Sequence, residues 1–393
     1  MSLAHGRPYL AIPGPSVIPD RVLRAMHRAA PNIYTGELHD VTRSLLPDLK
    51  RVARTEGEVA LYISNGHGVW EAALANVTSP GDVVLVLATG RFAHGWSAIA
   101  ANLGLEVELL EFGQERDVDP ERVEEALRVD KEGRIKAVLS VFVDTSTSVK
   151  SDVGAVRQAI DVAGHSALLM CDCIASLACD RFEMDDWGVD VTVTGCQKGL
   201  MTPPGMGFVF FNEKADAARE TAQNVTHYWD WRPRTGGEEY YQYFDGTAPT
   251  HHIYGLREAL DMIFEEGLEQ VWQRHERLAE AVWAAGEAWA VEGPMHLNVK
   301  DKSARSCAVT SVGIGAENGD RLREFMEFEM GVTLGIGLGR EPASGWFRIG
   351  HMGHVNAHMV LGLLGCIETG LSALQIPHGS GALDAASSAL VGH

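Results

Sequence analysis

Basic residues are scarce in this chain: 33 Lys and Arg stand against 53 Asp and Glu, a formal charge of −20, and no segment clusters them. That scarcity argues against nucleic acid and anionic membrane as partners, since both are held by grouped cations. An anionic substrate therefore needs a locally placed arginine. No stretch is apolar for the length of a membrane span, and the opening residues MSLAHGRPYLAIPGP lack the apolar core of a secretory leader. The expectation is a soluble, cytoplasmic protein. The six cysteines lie mostly inside apolar runs and never form a CxxC pair, which reads as buried free thiols. His251 with His252, and His351 with His354, have too few Cys, Asp or Glu nearby to complete a metal site, so none is expected.

What is present is a long alternation of strand and helix patterns. With 393 residues, 46% of them hydrophobic, the chain can bury one large core and a smaller one. Strands are predicted at EVALYIS, VVLVLA, EVELLEF, KAVLSVFV, ALLMCDC, VDVTVTGC and GMGFVFF, with helices between most of them. Such alternation gives an α/β fold, a mostly parallel sheet between helix layers. The rhythm changes near Val291, where shorter strands and two helices predict a compact α+β unit. The expected division is an arm over residues 1–20, a large domain over 21–290 and a small domain over 291–393. Pro47 is expected to interrupt the helix that follows Leu38, and Gly255 and Gly267 to break or bend the helical stretch 251–290.

The most informative stretch is 167–207. ALLMCDC is an apolar run with one carboxylate, Asp172, near its end, as in a strand covered on both faces. VDVTVTGC is a second such run, and Gln197 and Lys198 follow it directly. Ends of parallel strands are where open α/β sheets bind ligands. A lone loop lysine is ordinarily a solvated charge; one held in a desolvated pocket is instead a nucleophile that condenses with carbonyls. An acid beside a pyridinium nitrogen would complete a pyridoxal phosphate (PLP) site.

Further candidates lie on the same strand ends. Asn65, Gly66, His67 and Gly68 form a glycine turn at a helix start, which suits either an anion such as phosphate or an ordinary tight turn. Phe92, just after a strand and the Gly90–Arg91 turn, reads as core packing or as a ring stacked on a flat cofactor. Asp144, Thr145, Ser146, Thr147 and Ser148 are turn-forming hydroxyls or crevice-lining groups. Residues 11–20, AIPGPSVIPD, are punctuated by three prolines, so they form either a linker or an arm passing the site with exposed amides. Arg348, among Trp346, Phe347 and Ile349, needs an ion pair or a bound carboxylate.

Taken together, PGP at 13–15, GHGVWEAAL from Gly66, DCIASL from Asp172, GCQKGLMTPPG from Gly195, IYGLREALD from Ile253 and FRIGHMG from Phe347 resemble one family over nearly the whole chain. This is the class V aminotransferases of PLP fold type I, and within them the serine-glyoxylate and alanine-glyoxylate group. The IPHGSGALDAA tail and the WDW of 229–231 look most like the serine enzymes. The resemblance implies a seven-stranded sheet in the large domain and a homodimer with a shared active site. It implies that Lys198 bonds covalently to PLP, that Asp172 pairs with the ring nitrogen, and that Phe92 stacks on the ring. Gly66, His67 and Gly68 would cradle the phosphate with Gln197 and with Thr247 from a second subunit. Thr145 would sit by the phenolic oxygen, and Arg348 would hold the substrate carboxylate beside Gly14. The implied reaction moves an amino group from a small donor, L-serine first, with alanine or aspartate as alternatives, to glyoxylate or pyruvate. Where the family tends to show a tyrosine before the threonine, this chain reads Phe244, Asp245, Gly246, Thr247; Ser148 replaces a usual glycine and Asn65 a usual small residue. A lyase or desulfurase on the same cofactor would need a cysteine on a mobile loop, and Cys307 lies in an apolar strand pattern. A non-catalytic cofactor-binding protein is the third possibility.

Overall fold

The computed structural model describes residues 2–391. Its strands, in chain order, are β1 (Tyr9–Ala11), β2 (Glu58–Ser64), β3 (Val83–Ala88), β4 (Glu106–Glu111), β5 (Ile135–Val141), β6 (Val143–Asp144), β7 (Val149–Lys150), β8 (Leu168–Asp172), β9 (Val191–Gly195), β10 (Gly205–Phe211), β11 (His296–Leu297), β12 (Val309–Gly313), β13 (Val332–Ile336) and β14 (Trp346–Gly350). The α-helices are α1 (Asp20–Met26), α2 (Glu37–Ala53), α3 (Gly66–Val77), α4 (Arg91–Asn102), α5 (Pro120–Val129), α6 (Val153–Ala163), α7 (Glu213–Arg219), α8 (Thr250–Glu266), α9 (Leu268–Trp289), α10 (Asn318–Met330), α11 (Ala357–Ala373) and α12 (Ala382–Val391).

Seven strands form the large sheet in the order β2-β10-β9-β8-β5-β3-β4, and only β10 runs against its neighbours. The expected fold type I sheet is therefore present. Alternate residues of β8 enter opposite apolar layers: Leu169 and Cys171 pack into one, Leu168 and Met170 into the other. A strand covered on both faces must be apolar at every position, which explains why ALLMC shows no alternation. Helices cover both layers, several with side-chain caps. Asp119 Oδ1 accepts from Glu121 N at the start of α5, and Asp152 Oδ1 accepts from Ala155 N at the start of α6.

A second sheet has the order β1-β13-β14-β12-β11. Its first strand comes from the N-terminal arm: Tyr9, Leu10 and Ala11 pair in parallel with Val332, Thr333 and Leu334. The arm is thus tied to the C-terminal sheet before it turns toward α1. The small-residue tail folds as α12, with Ala382 and Ala386 buried in the same cluster as Leu278 and Val282 of α9.

Neither Pro47 nor Gly255 ends its helix. Helix α2 runs through Pro47 without interruption. Pro47 and Arg43 both face solvent, so the carbonyl that loses its amide partner is hydrated at little cost. Helix α8 likewise runs through Gly255, whose missing side chain lets α1 approach: a Cβ there would lie 2.8 Å from Met26 Cγ and Sδ. Gly267, with φ of 93°, does end α8 and start α9.

Candidate active site

Strands β3, β5, β8 and β9 are parallel neighbours in the large sheet, so their C-terminal ends lie along the same edge. Asp172, the last residue of β8, is buried and holds two hydrogen bonds. Its Oδ2 accepts from Trp70 Nε1 at 3.0 Å, and its Oδ1 accepts from Ile174 N at 2.7 Å. Burial pushes its carboxyl up to about 7, with the Asp144 charge adding to the rise, against the two donors and Lys198, which pull it down. A cation at this position would return it to the ionised form.

Lys198, three residues past β9, is 9% exposed. Its amine is pushed down to about 8 by burial and by the charge of Arg348, while Asp172 and Cys179 oppose the shift. The Nζ donates to the carbonyl of Pro13 in the arm. The same arm is pinned to the lysine's own loop, since Ser16 Oγ donates to Lys198 O at 2.7 Å and Ser16 N donates to Gln197 O at 2.8 Å. Between them Gly14, with φ of 97°, lies against the lysine side chain. The arm therefore passes the site, as one of the two sequence readings had it. It offers a carbonyl there, for the Gly14 amide is already bonded to Ile12 O.

Helix α3 begins beside this pair. Asn65 Oδ1 caps Gly68 N at 3.2 Å and Asn65 O accepts from Val69 N, which leaves the amides of Gly66 and His67 as orphan donors among the described residues. A Cβ at Gly66 would lie 2.5 Å from Ile174 Cδ1 and one at Gly68 would lie 2.1 Å from Ser64 Oγ, so Ile174 or Ser64 would have to turn away to admit one. Gln197 carries a buried Oε1 with no partner. One turn along α3, the indole of Trp70 stands edge-on to His67 at 4.8 Å and to Phe92 at 6.2 Å. Phe92 is half-buried, and its amide donates to Asp144 Oδ2 at 2.8 Å, so the carboxylate of Asp144 caps the start of α4.

Arg348 projects from β14 toward the large sheet. Its Nε donates to Ile336 O at 2.7 Å and its Nη1 to Thr145 O at 2.9 Å. It forms no ion pair with any described residue, and burial lowers its guanidinium to about 10. Two neutral carbonyls fix the fork while the rest of its five N–H donors stay free for an anion. Thr147 and Ser148 complete the turn below, where Ser148 takes φ of 62°.

Lys198, Asp172, Arg348, Gly14 and Thr145 thus come together through direct bonds, contacts or charge, and Phe92 joins them through Asp144 and Trp70. Thr247 does not join: it is exposed between Gly246 and α8, with no bond or ring contact to this group among the described residues. Trp70 was missed as a site residue, whereas Asp144 is one of the cluster that the sequence reads as either forming a turn or lining the crevice. The spacing of Trp70 from Gly66, one helical turn, was the available signal. Cys307 is buried just ahead of β12 with its thiol raised well above the usual value, the opposite of a thiolate poised on a mobile loop.

The donor set fits PLP. An electrophilic aldehyde suits a buried amine held near 8, a cationic ring nitrogen suits a carboxylate that burial leaves near 7, and a phosphate suits orphan amides at a helix start.

The aminotransferase class-V family matches residues 9–333. The chain is 38% identical to serine–glyoxylate aminotransferase of Methylorubrum extorquens, over 97% of this chain and 96% of that protein. It is 36% identical to L-aspartate–glyoxylate aminotransferase of Paracoccus denitrificans, over 93% and 91%. Among solved structures it is similar to ureidoglycine–glyoxylate aminotransferase from Bacillus subtilis, with a TM-score of 0.86 and 26% identity over 99% of both chains. Sequence, fold and the chemistry of the strand ends agree, and the chain belongs to the class V aminotransferases, PLP-dependent enzymes of fold type I.

Proposed function

We propose that this enzyme transfers the amino group of a small donor, L-serine first, to glyoxylate, giving hydroxypyruvate and glycine. The carrying observation is the convergence of a buried amine, a buried carboxylate and an unpaired buried guanidinium at Lys198, Asp172 and Arg348. The names of the similar proteins support glyoxylate as acceptor, and the 38% relative supports serine as donor. Aspartate is the second donor, supported by the relative from Paracoccus denitrificans.

In this reading Lys198 would hold PLP covalently and Asp172 would face the ring nitrogen. Phe92 would stack on the ring, and Thr145 would stand by its phenolic oxygen. Gly66, His67, Gly68 and Gln197 receive the phosphate, joined by Thr247 of a second subunit, so the working unit is a homodimer. When bound, PLP supplies an electron-poor ring that takes up the electron pair left on the donor's Cα. Arg348 grips the α-carboxylate of each substrate in turn, its planar fork already aimed by Ile336 O and Thr145 O. As a free amine, Lys198 Nζ would take the proton from the donor's Cα, a task suited to an amine near 8. In the second half-reaction the same Nζ gives a proton to the carbon that becomes glycine Cα. Asp172, held by Trp70 and Ile174, keeps a proton on the nitrogen it faces. Burial of all three groups limits their contact with bulk solvent, while one water is consumed as hydroxypyruvate leaves and one is released as glyoxylate is taken up.

The proposed domains are the arm 1–20, a large domain 21–290 and a small domain 291–393, and the proposed location is the cytoplasm. No helix among the described residues is long and apolar enough to cross a membrane. The test is a donor panel against glyoxylate and pyruvate with wild type and Lys198→Ala. Wild type should show its highest kcat/KM with serine and glyoxylate, and the variant should show none. Near-normal turnover by Lys198→Ala, or no amino transfer to any oxo acid by wild type, would overturn the proposal.

A further inference from the structure

Arg348 is one of two buried guanidinium groups on this side of the small sheet. The other is Arg340, in the loop between β13 and β14, 7% exposed against 6% for Arg348. Trp346 and Arg348 are two residues apart on β14 and so share a face. Arg340 lies over the Trp346 ring, with Cζ 4.3 Å from its centroid, which puts it on that face too. The loop that carries it rests on the start of α4 and on the turn after β6: a Cβ at Gly339 would lie 3.1 Å from Arg91 Cβ and 3.7 Å from Ser146 Cβ. The two cations sense each other and the same carboxylate. Arg340 helps push Arg348 down, Asp144 pulls both back up, and the exposed Glu115 exerts the larger pull on Arg340.

Burial of a guanidinium without an anion is costly, and such groups in folded proteins are ordinarily paired. Arg340 forms no ion pair with any described residue. Its Nη1 donates to Gln114 Oε1 at 2.8 Å, its Nη2 reaches Gln114 O at 3.5 Å, and its buried Nε has no partner. The third buried arginine without a carboxylate, Arg234, is different. Its Nε is likewise without a partner, but three carbonyls, of Leu61, Tyr243 and Tyr228, hold its two Nη atoms, and Tyr62 and Tyr228 flank it. Arg340 has instead a neutral amide on an exposed residue, Gln114, which can swing into solvent. A carboxylate in its place would make a charge-assisted, bidentate bond.

We infer that Arg340 is a specificity residue that binds the side-chain carboxylate of an acidic amino donor, while Arg348 binds its α-carboxylate. This rests on the proposed role of Arg348, and it assigns the residue that would admit the second donor, aspartate, and by the same bond glutamate, whose acids lie one or two methylenes beyond Cα. Neutral donors leave Arg340 on Gln114 and do not use it.

The test follows loss of the visible cofactor band in single-turnover mixing of holoenzyme with L-aspartate, L-glutamate, L-serine or L-alanine. Wild type, Arg340→Gln and Arg340→Lys are compared. The expected result is that Arg340→Gln weakens apparent affinity for the acidic donors roughly 10- to 100-fold, the usual effect of a lost hydrogen bond to a charge, and leaves serine and alanine within about threefold. Arg340→Lys should recover part of the loss, as a point charge without the fork. Equal weakening of all four donors would overturn the inference, as would a wild type that reacts with serine but with neither acid. Both outcomes leave the proposed reaction standing. If no amino acid discharges the band, transamination fails and this inference with it.

Discussion

Gly14 lies directly against Lys198, 184 positions away in the chain: a Cβ placed on the glycine would sit 2.4 Å from the lysine Cδ, Cε and Nζ. The backbone there also has φ of 97°, a conformation that side chains disfavour. Both facts follow from the arm being drawn over the lysine by Ser16 and Pro13. Gly14→Ala must therefore displace either the arm or the amine. We expect kcat/KM to fall at least tenfold, with far-ultraviolet circular dichroism unchanged, because only a 1 Å misplacement of the reacting group is needed for such a loss. A fully active alanine variant would show that the arm gives way freely.

Trp70 is the only side chain that donates to Asp172 among the described residues. Trp70→Phe keeps a ring in the core and removes that donor. The carboxylate then loses a hydrogen bond to its charged form, so its pKa rises further. Activity should drop about tenfold, and the acidic limb of the pH–rate profile should move to higher pH. A lower rate with an unmoved profile would make the indole a packing residue alone.

Asp172 also sets a pH dependence of stability in the cofactor-free protein. Its carboxyl rises from 3.8 to about 7 on folding, so the folded state binds the proton more tightly than the unfolded chain. The favourable contribution is complete below pH 3.8 and is lost as pH climbs through about 7. The loss amounts to about 4 kcal/mol at most, from the free energy of a pKa shift. Urea unfolding of the apoprotein should show wild type losing stability relative to Asp172→Asn between pH 4 and 7. The variant should be inactive at every pH. Parallel stability curves would mean that the carboxyl is not perturbed in this way.

Arg348→Gln separates its substrate role from its structural one. Its bonds to Ile336 O and Thr145 O tie the small sheet to the turn after β6. If its main task is the substrate carboxylate, KM for amino donor and oxo acid should rise together, roughly 10- to 100-fold, with little change in melting temperature. A large loss of stability with unchanged KM would assign the arginine to the interface between the two sheets.

Much of the site was legible because it is written in short local patterns. Strands β3, β5, β8 and β9 are apolar runs that end where a polar residue begins, so Asp172 and Lys198 could be placed at strand ends by their neighbours alone. The turn at Gly66–Gly68 was legible for the same reason, since a strand, a glycine pair and a helix follow within a few residues. Pro47 and Gly255 misled because a helix breaker is judged by its local cost, while in α2 the freed carbonyl meets water and in α8 the missing side chain makes room for α1. Trp70 was passed over because an apolar ring in a helix packs far more often than it donates, and the acceptor that singles it out lies 102 positions away.

The sequence by itself determined the alternating sheet and its helices, the family, and the residue types offered at each strand end, because hydrophobic period and turn chemistry act over a few residues. Only the tertiary structure decided that the arm closes over Lys198, that the amine sits near 8 and the Asp172 carboxyl near 7, and that Arg340 and Arg348 stand unpaired on one face. Those properties arise from burial and from charges brought close by folding, and the distances that set them exist only between segments far apart along the chain.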